Sequence, residues 1–242
     1  MIPRELLGIA QVSGGPPLTL YRRGSDYMIT LERNELMSSR MSGSEAALGT
    51  MSCERIADRP APRLLIGGYG MGFTLRAVLS SLGLNARVTV AELVPEIIDW
   101  ARGPMAALTD GCLDDPRVEV VIADVAAMIE SGRGAYDAIL LDVDNGPDGL
   151  TRAANDGLYT MRGLARIEAA LTSAGVLAVW SAAPDPAFSR RLVQAGFTPD
   201  EIRVRARDNG KGPIHTIWFA TSRVGVDRSL SLPPSANPVY SV

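Results

Sequence analysis

The chain has 242 residues, 46% of them hydrophobic, and a net charge of −3, which suits one α/β domain with a full core plus a small appendage. That charge gives no reason to expect nucleic acid or an anionic membrane as a partner, and the apolar runs are strand-sized, too short for a bilayer span of about 20 residues. Two scattered cysteines, Cys53 and Cys112, and a single histidine, His215, supply no recognisable metal-ligand set. The opening Met1-Ile2-Pro3-Arg4-Glu5 lacks the charged-then-apolar layout of a signal peptide, so the expected compartment is the reducing cytoplasm.

Residues 17–22 and 26–31 alternate around Arg23-Gly24-Ser25 and predict a β-hairpin, with a short third strand after Asn34. Ser42 to about Ile56 reads as a helix, with Ser42 and Glu45 placed as a capping box. From Pro62 strands and helices alternate: strands at 63–67, 87–92, 117–122, 137–142 and 175–181, helices at 73–82, 95–106, 125–131, 158–172 and 186–195. Such alternation implies a parallel sheet covered on both faces. Residues 199–206 and 213–221, joined by Arg207-Asp208-Asn209-Gly210-Lys211-Gly212, form a closing hairpin, so the last strand runs antiparallel to the rest. The expected organisation is a β-hairpin subdomain over 1–41, a nucleoside-binding Rossmann-like domain over 42–224 and a loose tail over 225–242, rich in proline.

Chemistry concentrates first at Arg63-Leu64-Leu65-Ile66-Gly67-Gly68-Tyr69-Gly70-Met71-Gly72. An apolar strand runs into a glycine turn and then a helix whose free N–H groups face the turn, the layout of a nucleoside-binding βαβ unit. About twenty residues on, Glu92 ends the next strand and can accept both ribose hydroxyls. A dinucleotide fingerprint would put a third glycine where Phe73 stands. The spacing Gly67-Gly68-x-Gly70-x-Gly72 is that of class I S-adenosylmethionine (AdoMet) proteins, whose ligand has no pyrophosphate.

Ligands of open α/β sheets sit beyond the carboxyl ends of the strands. Those ends here carry Gly67 to Gly72, Glu92 with Leu93, Asp124 with Val125, and Asp142. Asp124 is placed for the adenine amine and the Val125 N–H for a ring nitrogen, although Asp124 also suits a plain helix cap. The loop Asp142-Val143-Asp144-Asn145-Gly146-Pro147-Asp148 gathers carboxylates where a sulfonium would lie, able to hold an amine or to deprotonate a nucleophile. His215, in the strand-like Ile214-His215-Thr216-Ile217-Trp218, reads first as a packed structural residue.

These residues resemble the spermidine synthase-like, or polyamine aminopropyltransferase, branch of the class I AdoMet-methyltransferase superfamily. The resemblance runs over about residues 17–221, through Leu65-Ile66-Gly67-Gly68, Val90-Ala91-Glu92-Leu93-Val94-Pro95-Glu96, Asp115-Pro116-Arg117-Val118, Tyr136-Asp137-Ala138-Ile139-Leu140-Leu141-Asp142 and Gly157-Leu158-Tyr159-Thr160. It implies a seven-stranded Rossmann-like sheet beneath a small N-terminal β domain, AdoMet or its decarboxylated form as cofactor, a small-molecule acceptor, and room for a homodimer through the N-terminal hairpins. Members place Asp-x-x-Asp-Pro after the fourth strand; Asp142 keeps the first position, Asn145 takes the second and Asp144 stands one residue early. Their upstream Asp-Glu-x-x-Tyr-His-Glu becomes Ser39-Arg40-Met41-Ser42-Gly43-Ser44-Glu45, in which only Glu45 survives.

Replacing an acidic pair by Ser39-Arg40 removes two negative charges that a polyamine needs when it leaves water and adds a positive one. The expectation is therefore an AdoMet-dependent transferase with a changed substrate, methyl transfer first and aminopropyl transfer from decarboxylated AdoMet as the alternative. Asp142, Asp144 and Glu45 are the catalytic candidates, and Arg40 and Tyr159 the substrate-binding ones. A non-catalytic nucleoside-binding scaffold is the reading from a different class.

Overall fold

The computed structural model describes residues 3–12, 15–143, 147, 157–207 and 209–222. The expected tail at 225–242 and the loop residues Asp144, Asn145 and Asp148 lie outside the described residues.

Two sheets make up the fold. The first is antiparallel with strands in chain order: β1 (Glu5–Ala10), β2 (Leu18–Arg23), β3 (Asp26–Leu31) and β4 (Asn34–Ser38). The alternation in the sequence identifies β2, β3 and β4, whereas β1 was not anticipated; half of it faces solvent, with Leu6 and Ile9 exposed, which erases the apolar period. Gly8 of β1 lies against Trp100, leaving no room for a side chain. Leu18, Leu20 and Ile29 share one buried cluster with Val94, Ile97 and Trp100. The small sheet is thereby fastened to the larger layer by shared apolar burial.

After α1 (Gly43–Arg55) the alternation predicted from the sequence appears almost element for element: β5 (Arg63–Gly67), α2 (Phe73–Ser81), β6 (Arg87–Glu92), α3 (Pro95–Arg102), the short α4 (Ala106–Thr109), β7 (Val118–Ile122), α5 (Val125–Ser131) and β8 (Tyr136–Leu141), then α6 (Met161–Ala170), β9 (Leu171–Ser181), α7 (Pro186–Gln194), β10 (Phe197–Arg205) and β11 (Ile214–Ser222). The seven strands lie in the order β10-β11-β9-β8-β5-β6-β7, parallel except where β11 runs antiparallel to both β9 and β10. Every residue of β8 is buried, as its unbroken apolar run demands of a central strand. Successive strand residues feed opposite layers: Leu64 and Ile66 join the core that holds Leu48, Leu75 and Ile97, while Leu65 joins that of Leu164, Ile167 and Phe188.

The Ser42 side-chain half of the predicted capping box does not form. Ser42 occupies the N-cap of α1 with αR backbone angles and no side-chain cap bond, and Glu45 is instead held by Ser44, whose hydroxyl donates to its Oε2 at 2.7 Å.

From β5 the chain winds one way to β6 and β7, then returns to the opposite side of β5 with β8 and β9. The crevice above the carboxyl ends of β5 and β8 is the switch point at which such sheets bind ligands, and the small sheet lies over it.

Candidate active site

The glycine turn is built as much by backbone crowding as by any ligand. Gly68 has φ +84°, and a Cβ there would stand 2.5 Å from the carbonyl oxygen of Asp142. Two backbone bonds set that closeness: the Gly68 N–H donates to Ala91 O and the Asp142 N–H to Gly67 O, each at 2.9 Å. Gly70, at φ +56°, faces the Met37 sulfur of the small sheet, 3.2 Å from where a Cβ would lie. Gly72 is the left-handed N-cap of α2. Gly68 and Gly70 line the cleft described next; Gly67, packed against Val125 and Leu141, and Gly72, against Tyr69, support it from behind.

Glu92 pins the turn to the end of β6. Its Oε2 accepts from the Tyr69 N–H and its Oε1 from the Val94 N–H, both at 2.9 Å. Burial pushes its carboxyl up, and the backbone N–H groups around it pull the other way by favouring the charged form. Asp124 is the helix cap expected as one of its two readings, its Oδ1 accepting from the Ala126 N–H at 2.8 Å at the N-cap of α5, and it also lines the cleft.

The cleft spans about 860 Å³ of empty space, its open mouth included. Gly68, Gly70, Ala91, Glu92, Leu93, Asp124, Val125 and Asp142 form its floor. Its roof, which the sequence reading missed, comes from the small sheet and the segments beside it: Val12, Gly15, Pro16, Leu18, Leu31, Leu36 and Met37. The available signal was the inward alternation of Leu18, Leu20 and Ile29, which marks a covered face without saying what it covers.

A second chamber, about 540 Å³ of empty space with its open mouth included, adjoins the first and shares Leu36, Met37, Gly70 and Asp142 with it. Ser38, Glu45, Tyr69, Met71, Phe73 and Trp180 complete its walls. Asp142 thus stands between the two. Its Oδ2 accepts a 2.7 Å hydrogen bond from the Thr74 hydroxyl, and burial pushes its carboxyl up to about 6, with the Thr74 bond opposing the rise. Among the described residues, no lysine or arginine lines either chamber, whereas Glu45, Glu92, Asp124 and Asp142 all do.

Two expected substrate residues lie elsewhere. Arg40 is half exposed, faces Asp26 at 3.7 Å and borders a surface hollow with Arg4 and Arg23. Only four residues separate it from Glu45, but the chain turns from β4 into α1 between them. Tyr159 is 2% exposed, packs edge-on against Phe188 with ring centroids 5.6 Å apart, and borders neither chamber. Asp144 falls outside the described residues. No helix among the described residues is long and apolar enough to cross a membrane, and none of their acids, cysteines or histidine cluster as a metal site.

A glycine turn at the switch point, an acid closing the second strand and an antiparallel last strand define a protein of the class I AdoMet-methyltransferase fold. More narrowly, the spermine/spermidine synthase domain matches residues 51–194, and the chain belongs to that family. It is 32% identical over 153 residues to polyamine aminopropyltransferase 1 of Streptomyces coelicolor, covering 60% of this chain and 28% of that protein. It is 34% identical over 126 residues to polyamine aminopropyltransferase 2 of Pseudomonas aeruginosa, covering 50% of this chain and 34% of that one. The matched region is therefore a minor part of each curated relative. Among solved structures, a spermidine synthase in complex with the transition state analogue AdoDATO superposes with a TM-score of 0.68 at 19% identity, over 93% of this chain and 75% of that one. The 1,6-didemethyltoxoflavin-N1-methyltransferase of Burkholderia thailandensis reaches 0.50 at 24% identity, over 74% and 79%. Both share the fold. The first expectation from the sequence, methyl transfer, is not supported by the family match or the curated relatives, which point to its alternative.

Proposed function

We propose that this chain is an aminopropyltransferase, moving the aminopropyl group of decarboxylated AdoMet to the nitrogen of a small amine. The observation that carries this reading is the charge of the two chambers: four carboxylates and, among the described residues, no lysine or arginine. AdoMet itself would bring a carboxylate beside Asp142 with no lysine or arginine among the described lining residues to receive it, a costly arrangement at low dielectric. The decarboxylated donor brings only an ammonium and a sulfonium, which Asp142 and its neighbours suit. The curated relatives carry polyamine aminopropyltransferase in their names, in line with this choice.

In this reading Glu92 takes the ribose hydroxyls, Asp124 and the Val125 N–H take the adenine, and Asp142 holds the donor's ammonium. The acceptor enters the second chamber, where Glu45 receives its proton. The neutral nitrogen then attacks the propyl carbon next to sulfur in line: a C–N bond forms, the C–S bond breaks, and sulfur keeps the electron pair as the thioether of methylthioadenosine. The protein supplies alignment and exclusion of water, and no covalent intermediate is required.

Calorimetric titration with AdoMet, decarboxylated AdoMet, S-adenosylhomocysteine and methylthioadenosine tests it, together with methylthioadenosine release when the decarboxylated donor is mixed with a panel of amines. Preference for the decarboxylated donor and methylthioadenosine is expected. Tighter binding of AdoMet and S-adenosylhomocysteine would return the assignment to methyl transfer, and binding of none of the four would overturn both.

A further inference from the structure

Beyond the walls of the second chamber runs a buried chain of polar groups that the proposed chemistry does not yet use. The Ser44 hydroxyl donates to Glu45 Oε2 at 2.7 Å, and Ser44 Oγ lies 2.8 Å from His215 Nδ1. Ser44 is fully buried and His215 is 7% exposed, so the bond between them is shielded from bulk water, while Glu45 is half-buried at the chamber wall. The imidazole is clamped edge-on by Trp180, with ring centroids 4.8 Å apart at 79°, and Trp180 also lines the second chamber. β11 places His215 here and the first turn of α1 places Ser44 and Glu45, so two distant segments meet behind one carboxylate.

We propose that His215, acting through Ser44, is the positioning residue that holds the Glu45 carboxylate in its ionised, proton-accepting orientation in the acceptor chamber. The proposal rests on the aminopropyltransferase reading for the identity of the proton donor, and on the hydrogen-bond geometry alone for the chain itself. A serine hydroxyl has one proton. Since Ser44 gives it to Glu45, its oxygen must accept from His215, which therefore carries its proton on Nδ1. Burial keeps the imidazole neutral by holding His215 below the usual histidine range. When Glu45 takes a proton from the acceptor it does so on Oε1, while Oε2 goes on accepting from Ser44 and Ser44 goes on accepting from the Nδ1–H of His215. One proton enters and no charge is placed on the buried ring.

Because His215 is the only histidine, the tag-free chain labelled with 15N-histidine gives one set of imidazole signals, and these report the tautomer whether or not turnover is detected. The expected result is the neutral Nδ1–H tautomer at neutral pH, reverting to Nε2–H in Ser44→Ala. An Nε2–H tautomer in the unaltered chain would overturn the proposal, since Ser44 would then be donating to His215 and not to Glu45. In the transfer assay Ser44→Ala and His215→Phe should each lower kcat roughly tenfold to a hundredfold, the worth of a hydrogen bond to a charged group, with KM for the donor nucleoside unchanged. The double variant should be no worse than the singles, and His215→Asn, which keeps a donor near the Nδ1 position, should recover most of the loss. Additive losses, or a fall in thermal stability with kcat intact, would refute a positioning role. Absence of transfer in the unaltered chain would count against the aminopropyltransferase reading and leave the tautomer to decide the chain.

Discussion

Replacing Asp142 by asparagine should make the unliganded protein more stable while removing its activity. Burial raises the Asp142 carboxyl from an ordinary value of 3.8 to about 6. At about 1.4 kcal/mol for each unit, the folded state gives up roughly 3 kcal/mol once this group is ionised. Asparagine removes that cost. It also weakens the bond from Thr74, now made to a neutral oxygen, and asks a partner for a new amide, which together offset about 1–2 kcal/mol. The net expectation is a gain of about 1–2 kcal/mol at pH 8. The sign follows from the raised folded-state value: the native protein holds the proton more tightly than the unfolded chain, so wild-type stability falls as pH climbs from about 4 to about 6 and is level above. Urea unfolding of both proteins without nucleoside, from pH 4.5 to 8, measures the difference. It should shrink toward the acid end, because there Asp142 is already protonated. A variant less stable than wild type at pH 8, or a difference independent of pH, would refute the reasoning. Turnover should drop by at least about a hundredfold, the usual cost of deleting one partner of a desolvated charge pair. Retained turnover would move the donor's amine to another carboxylate, and an unaltered chain that bound its nucleoside without ever turning over would favour the scaffold reading.

Two further outcomes follow from the same geometry. Thr74→Val removes the hydroxyl that favours ionised Asp142, so the acid limb of kcat/KM should move to higher pH by about one unit, since a hydrogen bond to a charged group is worth about 1.5 kcal/mol or more; an unmoved limb would mean that Asp142 does not govern it. Gly68→Ala places a Cβ 2.5 Å from a backbone carbonyl at φ +84°, so it should cost about 2–4 kcal/mol and lower Tm by roughly 5–12 °C; a melt within a degree of wild type would show that the turn can shift to admit a side chain.

Local patterns made much of this protein legible. The run from Pro62 alternates because a doubly covered parallel sheet needs continuous apolar strands and amphipathic helices, each of which writes its period into a few consecutive residues. Gly68, Glu92, Asp124 and Asp142 could be picked out because the carboxyl end of a strand is a position on the chain as well as in space. Arg40 and Tyr159 show where this stops: both are near site residues in sequence, but a turn directs one into a surface hollow with Asp26 and core packing takes the other against Phe188. The roof of the cleft was out of reach for a related reason, since an inward-facing leucine reads the same over a core as over a ligand.

By itself the sequence determined the class of fold, the glycine turn and the acids at the strand ends, because each depends on residues within a few positions of one another. Only the tertiary structure decided that Asp142 stands between two chambers free of lysine and arginine among the described residues, and that Ser44 meets a histidine 171 residues away. Charge balance in a cavity and a buried hydrogen bond are set by which segments the fold brings together, and no period or spacing along the chain carries that information.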